Sequence, residues 1–156
     1  MNPIFALAAA VALASTVMVI TRRNAVHALL YLVVSLLAVA VIMLLLGAPF
    51  VAALEVIIYA GAIMVLFVFV VMLIGAESSP IGARDWIGPV VLGLILLAEL
   101  AWVIGSKPAQ MAPVTEVPPR DVGISLLGPY LIGTEVAAFV LLAGLVGAFH
   151  LGRRRK

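Results

Sequence analysis

The sequence contains no cysteine and few charged residues. Charged side chains make up only 10% of its 156 residues, whereas 66% are hydrophobic, and the mean hydropathy is +1.34. A soluble domain of this length needs more charged side chains to cover its surface, so the composition indicates an integral membrane protein. The absence of cysteine excludes disulfides, thiolate-bound iron–sulfur clusters and cysteine-based zinc sites.

Histidine is also scarce, because His27 and His150 are the only two in the chain. Neither belongs to an HExxH motif or another metal-ligand spacing. Both are expected near helix ends on one side of the membrane, which favours hydrogen-bonded interface residues over haem ligands. The net charge of +2 comes from basic residues that flank apolar segments. This arrangement does not indicate nucleic-acid binding.

Five apolar stretches are each long enough to cross a bilayer as a helix. They are residues 3–21, 26–46, 51–74, 86–105 and 129–151. Gly47 and Pro49 predict a tight reversal between the second and third stretches. The connection 106–127 contains four prolines, which predicts extended backbone at the surface. We therefore expect one all-α membrane domain over residues 1–156, with no internal repeat.

The distribution of positive charge predicts how the chain is oriented. With the N-terminus outside, the inner side holds seven lysines and arginines, whereas the outer side holds only Lys107 and Arg120. Because basic residues favour the cytoplasmic side, we predict an external N-terminus and a cytoplasmic C-terminus. The first apolar stretch has no preceding basic residues, so we interpret it as a retained helix and not a signal peptide.

Three carboxylates, Glu55, Glu99 and Glu135, interrupt the apolar spans without a basic residue inside any span. A charge at the bilayer centre costs at least ~2.5–3.5 kcal/mol, so such groups usually face protein or water. The alternative is a protonated packing residue or an interfacial position. We expect Glu55 and Glu135 to face neighbouring subunits or internal water, and Glu99 to be the lipid-edge or interfacial exception.

The third span carries two further features. Glu55 and Tyr59 are four residues apart, so both project from one face of a regular helix, where they could hydrogen-bond or contact one file of water. Gly61, between two alanines, makes a notch of small side chains. Such a notch permits close helix packing, and it also permits a π-bulge.

The run ALEVIIYAGAIMVLFVFVVML at 53–73 resembles the third helix of subunit J of the proton-pumping NADH–quinone oxidoreductase, the bacterial relative of mitochondrial complex I. Residues 24–55 resemble the second helix and turn of that subunit, and residues 128–154 are similar to its fifth helix. The similarity extends over nearly the whole chain. Glu99 does not correspond to a position of the family pattern.

The resemblance implies a membrane-arm subunit of the bacterial inner membrane, packed among the A, H, K and N subunits near the quinone-reacting end. It implies no bound cofactor, since NADH, FMN, iron–sulfur clusters and quinone belong to other subunits. It also implies a π-bulge whose conversion to regular helix opens and closes a water path. Tyr59 and Gly61 would form this gate, with Glu55 and Glu135 as polar groups nearby.

Two other functions compete with such a coupling role. A stand-alone transporter or channel is less consistent with the sequence, which shows neither repeats nor paired broken helices. A passive scaffold for complex assembly remains open. The scaffold predicts that substitutions at Glu55, Tyr59 or Gly61 alter assembly and activity together, whereas coupling predicts an assembled complex with impaired turnover.

Overall fold

The computed structural model describes residues 3–75, 86–105 and 115–153, and the regular elements in these ranges are all helical. They are α1 (Pro3–Thr21), α2 (Ala25–Leu45), α3 (Pro49–Leu54), a π-helical segment (Glu55–Ile63), α4 (Met64–Ile74), α5 (Ile87–Gly105), α6 (Pro119–Leu127) and α7 (Leu131–Gly152). Five helical stretches in the described ranges are long and apolar enough to span a membrane, with bounds within two residues of the predicted ones. The prediction of five spans is confirmed.

The turns at the two ends of α2 follow from local sequence. Asn24 caps the helix, because its Oδ1 accepts hydrogen bonds from the backbone N–H groups of Val26 at 3.0 Å and His27 at 3.4 Å. At the other end, Gly47 has a φ of 80°, a left-handed conformation that glycine adopts readily. Pro49 is the first residue of α3, where its missing N–H removes no helical hydrogen bond. The predicted reversal is confirmed.

The helices fall into two units, residues 1–116 and 117–156. In the first unit α2 is central, since it contacts α1, α5 and every part of the third span. The apolar core of this unit consists of Ala8, Val11, Val34, Ala38, Val41 and Leu96. The hydroxyls of Thr16 and Ser35 are 2.8 Å apart and link α1 to α2. Small side chains and hydroxyl pairs of this kind hold helices together in lipid.

The second unit contains the α6–α7 helix pair. The prediction of extended backbone over 106–127 is wrong for residues 119–127, which form α6. Pro119 occupies the first turn of this helix, where proline is favoured, so here it begins a helix. The hydroxyl of Thr134 donates to the Leu126 carbonyl at 3.0 Å. Residues 76–85 and 106–114, with the basic residues Arg84 and Lys107, lie outside the described ranges.

His27 is a second correction, because its side chain is buried within the bundle instead of lying at the interface. It is only 5% exposed, and within the described ranges its Nε2 has no hydrogen-bond partner. It shares the buried face of α2 with Tyr31, one turn further along. His150, in contrast, is exposed near the end of α7.

Candidate functional site

The third span is not a regular α-helix, because nine of its residues, Glu55–Ile63, are π-helical. At the end of this segment the Met64 N–H donates to the carbonyl of Tyr59, five residues earlier, and to that of Gly61. The α-helical pattern then resumes over α4. The π geometry that the family resemblance implies is therefore present, and it contains Glu55, Tyr59 and Gly61.

Gly61 lies where the π-helical backbone leaves little room for a side chain. A Cβ at this position would stand 3.1 Å from the carbonyl oxygen of Val56. Val56 precedes Gly61 by five residues, which is the hydrogen-bonding interval of a π-helix. The close approach explains why a glycine suits this position, since any larger residue would press against that carbonyl.

The two polar side chains of the π-helical segment lie outside the buried core of the chain. Tyr59 is 50% exposed, Glu55 is half-buried, and no residue of the segment is buried. Among the described residues, no hydrogen bond joins Glu55 to Tyr59, and the contact of both with one file of water stays a prediction. Within a membrane these groups need partners that the surrounding protein or water supplies.

Glu135 belongs to the second unit, so the structure groups three of the four predicted site residues and describes the fourth separately. It is exposed on α7 and borders a groove of about 310 Å³ between α6 and α7. Thr134 and Leu131 also line this groove. The side chain is therefore accessible on the surface of α7.

The prediction that Glu99 is a lipid-edge or interfacial residue is wrong. Glu99 is 6% exposed, and neither carboxyl oxygen has a hydrogen-bond partner among the described residues. It lies between Leu96 and Val103 on the buried face of α5. Its spacing of three and four residues from these apolar neighbours is the sequence signal that could have placed it there.

Among the described residues, no group of three or more His, Asp or Glu side chains is arranged to hold a metal ion. The predicted site is thus a set of one phenol, one glycine and carboxyls on membrane helices. The phenol and the carboxyls can bind water and exchange protons. The residues of the π-helical segment change position when the helix geometry changes.

Comparison with known proteins identifies the family of this chain. The family model for NADH-ubiquinone/plastoquinone oxidoreductase chain 6 matches residues 15–151. NADH-quinone oxidoreductase subunit J of Pseudomonas aeruginosa is 49% identical, with 96% of this chain and 95% of the relative covered. The subunit J of Escherichia coli is 46% identical over 94% of this chain and 83% of the relative. That of Buchnera aphidicola from Schizaphis graminum is 40% identical over the full length of both. The chain therefore belongs to the NADH-quinone oxidoreductase subunit J family.

Proposed function

We propose that this chain is a membrane-arm subunit of bacterial NADH–quinone oxidoreductase, complex I, and couples quinone reduction to proton translocation. The observation that carries the proposal is the π-helical segment Glu55–Ile63. Runs of π-helix are rare, and they occur frequently at functional sites. The five membrane spans and the subunit J relatives support the same assignment.

The proposed coupling step is a local change between π-helix and α-helix. Removing one residue from a turn rotates the face that follows by roughly 100°, the angular step of an α-helix. Ile63 and Leu66 follow Gly61, and both are exposed together with Tyr59. The rotation would replace the phenol of Tyr59 by these apolar side chains along a water path. Water would pass in one state and be excluded in the other.

Electron transfer is assigned to other subunits in this proposal. NADH, FMN, the iron–sulfur clusters and quinone bind elsewhere in the complex, and this chain has no cysteine to ligate a cluster. The chain instead supplies helix surfaces, since neither the π-helical segment nor α7 has a buried residue. We propose that subunits of the A, H, K and N types and lipid cover these surfaces in the bacterial inner membrane.

Glu55 and Glu135 would face those neighbouring subunits or the water between them. No lysine or arginine lies within a span of this chain to neutralise either carboxylate. Exposure of a charged carboxylate to acyl chains is costly. The two glutamates are therefore proposed as polar members of the water path, with Tyr59 and Gly61 at the gate.

The proposed topology places the C-terminus in the cytoplasm, because the basic residues favour that side by seven to two. We expect a reporter that works only in the cytoplasm to be active when it is fused after Lys156. A periplasm-specific reporter at the same position should be silent. Activity of the periplasmic reporter alone would reverse the proposed orientation.

Membership of the complex is tested by isolating the chain from its native membrane through an affinity tag. We expect the tagged chain to migrate on a native gel with a large assembly that oxidises NADH and reduces quinone. The chain could instead be recovered alone, while an intact NADH-oxidising assembly is found without it. That result would support a stand-alone transporter. The gate within the complex is tested separately by substitution at Gly61.

A further inference from the structure

Glu99 lies inside the first unit, away from the π-helical segment in sequence and on a different helix. Its neighbours on the buried face of α5 are apolar, and this helix packs against α1 and α2. Buried carboxyl oxygens are normally hydrogen-bonded, but neither oxygen of Glu99 has a partner among the described residues. Its charged form would be especially costly, since α1, α2 and α5 contain no lysine or arginine.

Other polar groups of the α1–α2–α5 bundle lie between Glu99 and the end of the bundle where α2 begins. His27, Tyr31 and Ser35 recur every fourth residue on the buried face of α2. Ser35 meets Thr16 of α1 at 2.8 Å, and the adjacent Ser15 is fully buried with an unpartnered hydroxyl among the described residues. The bundle thus holds a stripe of hydroxyl and imidazole groups.

The contacts at that end fix the relative levels of the helices. Arg22, which follows α1, donates to the Tyr31 hydroxyl at 3.5 Å, and the same hydroxyl lies against Gly88 at the start of α5. Glu99 is about 16 Å along α5 from Gly88, and Ser35 is about 6 Å along α2 from Tyr31, at 1.5 Å per residue. Because the Tyr31 side chain leans toward the N-terminus of α2, the axial separation between Ser35 and Glu99 is at most about 10 Å.

The apolar core of the bundle, which includes Val41 and Leu96, occupies the space across this separation. Ala8 and Ala38 are fully buried in this core and are its smallest side chains. A chain of about three water molecules, at the usual 2.8 Å spacing, would bridge about 10 Å. The two alanines obstruct such a chain less than the valine and leucine side chains beside them, so we expect water to enter along Ala8 and Ala38 when the helices separate.

We propose that Glu99 is a proton-exchanging carboxyl inside the α1–α2–α5 bundle, reached by water along the stripe from His27 through Ser35. One carboxyl oxygen of Glu99 donates its proton to a hydrogen-bonded water molecule while the other carboxyl oxygen accepts a proton from the same water chain, so the proton is exchanged and the carboxyl stays neutral. No covalent bond to carbon changes. The titratable groups on the packed faces are Glu99 itself, His27 and Tyr31, with Arg22 as the cation at the end of the bundle.

The test uses the intact complex in native membranes and infrared difference spectroscopy between the original protein and the Glu99→Gln variant. We expect a carbonyl stretch of a neutral carboxylic acid that disappears in Glu99→Gln and shifts after transfer to heavy water. Glu116→Gln is the matched control, since Glu116 is an exposed glutamate outside the spans; this substitution should leave the band unchanged.

The route is tested with the double variant Thr16→Val, Ser35→Ala, which removes the hydroxyl pair and keeps the bulk. We expect the shift of the Glu99 band in heavy water to become about tenfold slower, equivalent to ~1.4 kcal/mol of added barrier. Absence of the band, or a band that never shifts, overturns the proposal of an exchanging carboxyl. An unchanged rate in the double variant overturns the proposed route. None of these outcomes depends on whether the π-helical segment acts as a gate.

Discussion

Gly61→Val is expected to leave the complex assembled while slowing NADH-driven quinone reduction and proton uptake by about tenfold, or ~1.4 kcal/mol of barrier. In the π-helical state, a Cβ added at residue 61 would lie 3.1 Å from the carbonyl oxygen of Val56. Valine adds two methyl groups to that Cβ and has a restricted χ1 angle. The substitution therefore disfavours the π-helical state relative to the α-helical one, and it fills the notch between Ala60 and Ala62.

Three measurements in the same membranes separate the interpretations of this variant. Native gel electrophoresis reports assembly, quinone reductase activity reports turnover, and a pH-sensitive dye reports proton uptake. Gly61→Ala, which adds only the Cβ, should give an intermediate rate. Gly144→Val makes the same change on the exposed surface of α7, where no atom of this chain lies within 4 Å of a Cβ, so it controls for added bulk against neighbouring subunits. An intact complex with normal rates would refute the gate, and loss of assembly would favour the packing explanation.

Gly88→Ala is expected to lower the amount of assembled complex strongly. A Cβ at this position would overlap the hydroxyl of Tyr31, and the tyrosine ring is 2% exposed, so it has little space into which to move. Overpacking of a buried contact typically costs ~1–3 kcal/mol. Displacement of the ring would also disturb Arg22, whose guanidinium lies 5.4 Å from the ring centroid.

Gly93→Ala is the matched control for this substitution. Gly93 is on the same helix and lines an apolar groove, where a Cβ meets nothing within 4 Å. We expect its complex to assemble normally. Tyr31→Phe removes the hydroxyl that the new Cβ would strike, so adding it to Gly88→Ala should restore part of the assembled complex. Quantitative immunoblots of native gels measure all three, and full assembly of Gly88→Ala would contradict the close contact.

Two of the corrections show which part of the outcome the sequence pattern left open. The proline-rich connection suggested extended backbone, but Pro119 starts α6, because proline fits the first turn of a helix as well as it fits a loop. Glu99 suggested an edge position from its distance to the end of the span. Its burial depends instead on which face of α5 meets α1 and α2, and that choice is made by the whole bundle.

The sequence by itself determined that the chain lies in a lipid bilayer and how many spans it has, because bilayer thickness imposes a minimum length on each apolar helix. It also determined the family, because the EVIIYAGAIMVLF run is distinctive. It also located the residues of the third span around which the π-helix forms. Only the tertiary structure showed that Tyr59 faces outward while His27 and Glu99 lie inside. In a chain that is apolar on nearly every helix face, hydrophobic periodicity cannot separate lipid-facing from protein-facing sides, so contacts between helices decide them.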